Sequence, residues 1–354
     1  MIFLTGFPGF LGSRLVERRV TDGDVVACLV QPAYRDLAER RAAEIEAGSG
    51  VDGRIELYEG DVTDPALGLD RGTGTRLAAD AAEVVHLAAL YDLGVDRGPA
   101  EAVNVDGTRH VLAFARAADA RLQYASTCYV SGRYDGVYGA GDVDHGPFNN
   151  QYEATKHAAE RLVRAAMADG LAATIYRPSI VVGDSRTGET QKYDGPYYLI
   201  RYLLRCPGVG LVPRIGRPSS RELNVVPRDY VVDAIDYLSR DAGAVGETYQ
   251  LCDPAPPSVA TWYRLLADAT GRRTLRIPTT QGLARRALSV PAVRERAGIE
   301  PAAVDYLTHP TRYTAAPARR DLPSDVSPPP VGSYLGRLVD YVREHPEEAV
   351  GIAA

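Results

Sequence analysis

Ile2-Phe3-Leu4-Thr5-Gly6-Phe7-Pro8-Gly9-Phe10-Leu11-Gly12-Ser13 decides how the rest of the chain is read. Ile2–Thr5 is a short apolar run of the kind that forms a buried strand, and Leu11–Val20 reads as the helix that follows. Three glycines stand between them. Gly6 suits a sharp bend, Gly9 the close approach of a pyrophosphate to the main chain, and Gly12 the packing of helix on strand. The helix start would offer free N–H groups and the positive end of its dipole to the phosphates. Gly6 through Gly12, with Phe7, Pro8, Phe10 and Leu11 between the glycines, are therefore read as a dinucleotide-binding turn.

Outward from that turn the pattern repeats. Asp24–Val30, Arg54–Tyr58, Glu83–Ala88, Leu122–Ser126 and Ala172–Tyr176 read as strands. Tyr34–Ala47, Ala100–Ala118 and Gln151–Ala168 read as crossover helices, and the glycine-containing segment Asp64–Asp80 as a weak one. Alternation of this kind predicts an α/β fold with a doubly wound parallel sheet and right-handed crossovers. After about Val182 the rhythm breaks. Asp184–Pro196 reads as a loop over a site. Helices are expected at Asp229–Ser239, Val259–Thr270 and Tyr334–Glu344. The expected division is a dinucleotide-binding domain over residues 1–182, joined by a returning strand near Glu247–Cys252, and a substrate-binding lobe mainly over 183–354.

The second strand ends at Gln31, where a carboxylate would hold the ribose diol of NAD. Gln31 is neutral, and Arg35 close by could face a 2′-phosphate, so the reading tilts toward NADP with NAD kept open. Arg35 could equally be a solvated helix residue.

Tyr152-Glu153-Ala154-Thr155-Lys156 opens the helix Gln151–Ala168. The i,i+4 spacing puts Tyr152 and Lys156 on one face. Reduction of a carbonyl needs a proton at oxygen as hydride reaches carbon. An ammonium beside a phenol favours its ionised form and lowers its pKa, which would make Tyr152 the acid/base and Lys156 its activator. Of 40 lysines and arginines only Lys156 and Lys192 are lysines. A lysine here, in a chain that otherwise uses arginine, points to a need for an ammonium.

The bulk properties set bounds. Hydrophobic residues make up 45% of the 354, enough for a sizeable core, and the net charge of −6 gives no field for nucleic acid or an anionic membrane. Cys28, Cys128, Cys206 and Cys252 are far apart, which fits small buried thiols better than disulfides or a metal site. No run approaches a membrane span, and a strand starting at Ile2 leaves no room for a signal peptide, so a cytoplasmic location is expected.

Taken together, TGFPGFLG, Asp61-Val62, His86-Leu87-Ala88-Ala89, Asn104-Val105-Asp106-Gly107-Thr108, Ser126-Thr127, the Tyr152/Lys156 pair and Tyr176-Arg177-Pro178 resemble an extended short-chain dehydrogenase/reductase over residues 1 to about 240. Ser126–Gly132 and the Tyr-x-x-Thr-Lys form are similar to its thioester reductase and fatty acyl-CoA reductase branch. The resemblance implies that Thr127 binds the substrate oxygen, with Ser126 the alternative hydroxyl. It implies that Asp61 and Val62 contact adenine, Ala88 and Ala89 lie along the cofactor, Asn104 sits near it, and Pro178 and Ser179 form the turn beside the nicotinamide. His86, His145 and His157 are read as packing or surface residues. Gln31 departs from the basic residue common in that branch. Without carrier and adenylation domains in the sequence, a thioester would arrive on CoA or a separate carrier protein. The expected activity is NAD(P)H-dependent reduction of a carbonyl, whether acyl thioester, aldehyde or polyketide-like ketone. The alternatives are a sugar-nucleotide epimerase with tightly bound NAD and a non-catalytic NADP-binding regulator. A homodimer through the long helices is the expected assembly, if any, with no nucleic acid partner and no metal.

Overall fold

The computed structural model describes residues 1–346; the last eight residues of the expected second lobe, 347–354, lie outside them. In the first half, β1 (Ile2–Thr5) passes through the glycine turn into α1 (Phe10–Thr21). There follow β2 (Val26–Val30), α2 (Arg35–Ser49), β3 (Ile55–Glu59), α3 (Arg71–Asp80), β4 (Glu83–His86), α4 (Arg97–Glu101), α5 (Gly107–Ala117), β5 (Arg121–Ala125), β6 (Val137–Tyr138), α6 (Gln151–Ala168) and β7 (Ala173–Pro178). The second half carries β8 (Ile180–Val182), α7 (Pro196–Arg205), β9 (Val209–Ile215), β10 (Val225–Pro227), α8 (Arg228–Arg240), β11 (Thr248–Leu251), α9 (Val259–Thr270), β12 (Arg273–Thr279), α10 (Gln281–Leu288), α11 (Pro291–Ala297), α12 (Ala303–Tyr306), β13 (Arg312–Tyr313), α13 (Ala316–Asp321) and α14 (Leu335–Glu344).

Seven parallel strands in the order β11-β7-β5-β4-β1-β2-β3 form the central sheet, as expected of a doubly wound fold. Strand side chains alternate between its faces. Ile2 and Leu4 enter a core completed by Leu15 and Val16 of α1, Ala38 and Ile45 of α2, and Val231 and Ile235 of α8. Phe3 enters the opposite core, with Leu77 of α3, Val111 of α5 and Val163 of α6. The expected strands are all present, within two residues or so at each end. The weakly expected helix exists as α3, because Asp70 caps it by accepting from the N–H groups of Gly72 and Thr73.

Two expectations need correction. The single helix Ala100–Ala118 is α4 and α5 joined by a π-helical turn at Ala102–Asp106. The inserted turn carries Asn104, whose carbonyl accepts from Thr108 Oγ1 at 2.6 Å. The division at residue 182 is also too simple. Beyond the returning strand, Val226 of β10, the inner face of α8 and Ala318 of α13 complete the first core. The second lobe has its own core around Trp262, Tyr197 and Leu338. The described strands outside the central sheet pair two by two: β8 with β10, β9 with β12, β6 with β13.

Candidate active site

The order of strands reverses between β1 and β4, so the loops after them part and leave a crevice at the carboxyl ends of the sheet. The glycine turn lies there. Gly6 has φ +98°, and a Cβ on it would come within 2.8 Å of the Ala88 nitrogen. A Cβ on Gly9 would stand 2.7 Å from the Gly6 carbonyl, and one on Gly12 would collide with that same oxygen. The turn is thus held close to Leu87 and Ala88 with no room for side chains. No side chain caps α1, whose N-cap is Gly9, so its first N–H groups face the crevice. This is a cradle fitted to a dinucleotide pyrophosphate. Gly6 through Gly12, Gln31, Val62, Ala88, Ala89, Pro178 and Ser179 all line one cleft of about 500 Å³.

Three assigned cofactor residues do not line it. Arg35 donates to Glu39 Oε1 at 2.7 Å and to the Leu57 carbonyl at 3.3 Å. Asp61 lies behind the wall, accepting from Gln31 Nε2 and from the Thr63 backbone and hydroxyl, each at 2.8 Å. Asn104 is buried. Its amide accepts from Leu90 N at 2.8 Å and donates to Thr155 Oγ1 at 2.9 Å, tying the loop after β4 to α6. All three shape the cleft from outside it.

Thr127, Tyr152 and Lys156 line the same cleft. Thr127 follows β5 and accepts from Tyr129 N at 3.2 Å, capping the turn Cys128–Ser131. The neighbouring Ser126 turns away and donates to Glu160 Oε2 at 2.6 Å. That leaves Thr127 as the hydroxyl beside Tyr152. Tyr152 and Lys156 start α6, whose N-cap Asn150 accepts from Glu153 N at 3.0 Å. Lys156 Nζ donates to the Ala125 carbonyl at 2.7 Å and to Tyr124 OH at 3.0 Å; no hydrogen bond joins it to Tyr152. The expected acidification of Tyr152 is not what this geometry produces. Burial pushes the phenol up, the charge of Glu153 adds to the rise, and the hydrogen bond with Thr127 only moderates it. Burial also pulls the Lys156 ammonium down to about 7, against the pull of Glu160. Desolvation favours the neutral form of both groups and opposes the interaction inferred from their spacing.

Beneath them lies a network that sequence reasoning missed. Glu160, one helical turn beyond Lys156, takes two hydrogen bonds from Arg177, at 2.6 and 3.0 Å, and one from Arg164 at 2.8 Å. Burial alone would raise its carboxyl, but Arg177 and Arg164 override that and hold it at about 2. The i,i+4 spacing from Lys156 was the available signal. His86 is a packing residue as expected: buried between Thr5 and Thr108, its ring is lowered to about 3 by burial and Lys156.

The far end of the cleft is shared by the loop after β4 and the second lobe. Tyr91 packs edge-on against Tyr152 with ring centroids 4.9 Å apart. Lys192 Nζ stands 4.9 Å from the Tyr91 ring centroid and 3.5 Å from Asp194. Tyr306 of α12 donates to Glu153 Oε1 at 2.9 Å, bracing the lobe against the start of α6. Leu211, Ala284, Leu288 and Leu307 make the remaining wall apolar. The scarcity of lysine could have singled out Lys192; nothing local marks Tyr306.

The profile of the NAD-binding family described as male sterility protein matches residues 4–235. The chain belongs to that family. It is an NAD(P)-dependent oxidoreductase of the extended short-chain dehydrogenase/reductase kind. Among similar proteins, a non-canonical nonribosomal peptide synthetase of Aspergillus campestris is 29% identical over 71% of this chain and 25% of its own length. An aldehyde reductase of Aspergillus flavus is 26% identical over 82% of this chain and 30% of its own. The chain thus spans about a quarter to a third of these relatives. Among solved structures, the terminal R domain of the myxalamid PKS-NRPS pathway superposes with TM-score 0.83 at 25% identity, covering 98% of this chain and 90% of that one. UDP-glucuronic acid 4-epimerase of Bacillus cereus, in complex with NAD, superposes with TM-score 0.69 at 18% identity over 97% of this chain and 98% of that one, a likeness of fold. Among the described residues of this reductase no helix is long and apolar enough to cross a membrane.

Proposed function

We propose that this reductase converts an acyl thioester, delivered on a pantetheine arm, to the aldehyde. The observation that carries the reading is the single cleft that joins the glycine cradle, the Thr127/Tyr152/Lys156 group and an apolar second-lobe wall. The bound nicotinamide would supply hydride to the carbonyl carbon. Thr127 and Tyr152 hold the carbonyl oxygen between their hydroxyls. As hydride arrives the oxygen becomes an alkoxide, and Tyr152 gives it a proton. The hemithioacetal then collapses: the Tyr152 phenolate takes back the hydroxyl proton, the C=O bond forms, the C–S bond breaks, and the thiolate leaves and takes a proton from solvent. Lys156 stabilises the transient phenolate and takes part in returning its proton.

Tyr152 enters the reaction protonated, as a donor must, and an alkoxide is basic enough to take its proton. An epimerase would need the same residue as a base, and the apolar wall offers a sugar nucleotide few partners. NADPH is the proposed donor: Gln31 stands where NAD enzymes place a carboxylate, and the one ion pair of Arg35 among the described residues, with Glu39, is exposed and easily exchanged for a 2′-phosphate while the bond to the Leu57 carbonyl is kept.

The test is turnover of octanoyl-pantetheine, octanal and UDP-glucose with NADPH and NADH. Tyr152→Phe is expected to lower kcat on the thioester by roughly 10²–10⁴-fold with nucleotide binding retained. Full turnover in that variant refutes the mechanism, and activity confined to UDP-glucose refutes the thioester reading.

A further inference from the structure

Two side-chain atoms on the wall of the cleft are buried without a partner. Among the described residues, Ser179 Oγ and Gln191 Oε1 are shielded from solvent and make no hydrogen bond. Both residues line the cleft that joins the glycine cradle to Thr127, Tyr152 and Lys156. A buried polar atom left unpaired is costly, so two of them on one cavity wall point to a ligand that completes them.

Both belong to the end of the cleft where hydride is delivered. Ser179 follows β7 and is 5% exposed. Its N–H donates to the Leu251 carbonyl at 3.1 Å, and the carbonyl of Pro178 beside it accepts from Thr127 Oγ1 at 3.4 Å. Gln191 lies in the loop between β8 and α7, the stretch whose sequence reads as a cover over a site. That loop is anchored on either side of Gln191. Before it, Asp184 N donates to the Glu189 carbonyl at 3.0 Å, and a Cβ on Gly183 would stand only 2.7 Å from that carbonyl. After it, Lys192 Nζ donates to the carbonyl of Tyr91 at 3.1 Å, and the Tyr91 ring packs on Tyr152. Gln191 is therefore held between β8 and the neighbour of the reacting phenol.

A glutamine Oε1 only accepts, whereas a serine hydroxyl also donates. A primary carboxamide answers both, and the nicotinamide of a dinucleotide carries one. The ring belongs at this end, because the phosphates rest on the cradle and the carbonyl to be reduced is held by Thr127 and Tyr152. We propose that Gln191 is a nicotinamide-binding residue: its Oε1 accepts an N–H of the carboxamide while the Ser179 hydroxyl donates to the carboxamide oxygen. That pair of bonds fixes the rotation of the ring about its glycosidic bond, and so the face that meets the carbonyl. It also recruits a loop outside the glycine-turn unit into nucleotide binding. The amides of a pantetheine arm fit less well, since they are secondary and lie several bonds from the reacting carbon, whereas Ser179 adjoins the residue bonded to Thr127. The inference is independent of which carbonyl is reduced.

The experiment is calorimetric titration of the full chain with the tighter-binding of NADP⁺ and NAD⁺, with the 3-acetylpyridine analogue of that nucleotide, and with the corresponding ADP-ribose, which lacks the ring. The analogue keeps the carbonyl oxygen and loses the N–H. Wild type is expected to bind the natural nucleotide roughly tenfold more tightly than the analogue. Gln191→Leu is expected to abolish that difference by weakening the natural nucleotide alone. Gln191→Glu keeps an acceptor and should keep the preference. Affinity for the ADP-ribose, which needs only the cradle, stays at the wild-type value in both variants. Equal affinity of wild type for natural nucleotide and analogue overturns the proposal, as does a preference that survives in Gln191→Leu or disappears in Gln191→Glu. A loss for the ADP-ribose as large as for the dinucleotide shows that Gln191 acts through the fold and also overturns it. A rise in KM for octanoyl-pantetheine in Gln191→Leu, with nucleotide affinities unchanged, gives the acceptor to the substrate amides and overturns it too.

Discussion

At the scale of single residues, Glu160 and Lys156 of α6 are both shifted downward, so stability rises with pH through two separate windows. Glu160 is held at about 2, below the ordinary carboxylate range, so its contribution to stability is complete above that range and is lost as pH falls toward 2. Glu160→Gln leaves the buried Arg177 without its counter-charge and is expected to cost about 3–5 kcal/mol, read by urea unfolding at pH 7. Lys156 is lowered to about 7. Between that value and its ordinary one the unfolded chain binds a proton that the folded chain does not, so stability rises with pH across this window. Below pH 7 the cost of the buried ammonium is present in full. Lys156→Met should flatten that rise and abolish most turnover; thermal midpoints from pH 6 to 9 check it, and an unchanged slope would contradict the shift. Residue identities were legible where spacing encodes a shared face, as with Tyr152 and Lys156. Their protonation was not, because desolvation depends on what packs around them, and Tyr124, Ala125 and Glu160 reach the pair only in three dimensions.

At the scale of elements, the cradle and the start of α6 each depend on one small feature. Gly12→Ala would drive a Cβ into the Gly6 carbonyl and is expected to weaken nucleotide binding at least roughly tenfold, measured by fluorescence titration with NADPH. Asn150→Ala removes the cap of α6 and a hydrogen bond to Tyr306 OH. It should cost about 1 kcal/mol by chemical denaturation. The seven sheet strands were readable because buried parallel strands are short continuous apolar runs. The helices α10 to α13 were not. At four to eight residues they are too short for a 3.6-residue period to declare itself, and the exposed side chains of β9 and β12 resemble loop. Asn104 was expected near the cofactor, and its bond from the loop after β4 to α6 was not legible, since the π-helical turn that directs it leaves no mark in residue pattern.

At the scale of the whole molecule, the sequence order hides how the two lobes share material. Tyr176 of β7 is buried against Tyr249 of β11, and Tyr249 OH donates to Asp321 of α13 at 2.8 Å. A fragment of residues 1–182 therefore loses one edge strand and the α8 cover of its sheet, and is expected to lack cooperative thermal unfolding by circular dichroism. A sharp transition in that fragment would show the first unit to be self-sufficient. Boundaries of this kind rest on contacts between residues more than 70 apart, which local patterns do not encode. The interleaving also governs how new specificities can be built on this scaffold. Among the described residues the chain leaves the nucleotide core to build the substrate wall over residues 184–224 and 253–311, comes home to a strand or helix of that core each time, and later adds α14 to the second-lobe core. A single crossover placed between residues 224 and 253 exchanges only one of these excursions. The resulting chimaera has facing walls from different parents, so transplanting substrate preference requires both inserts to travel together.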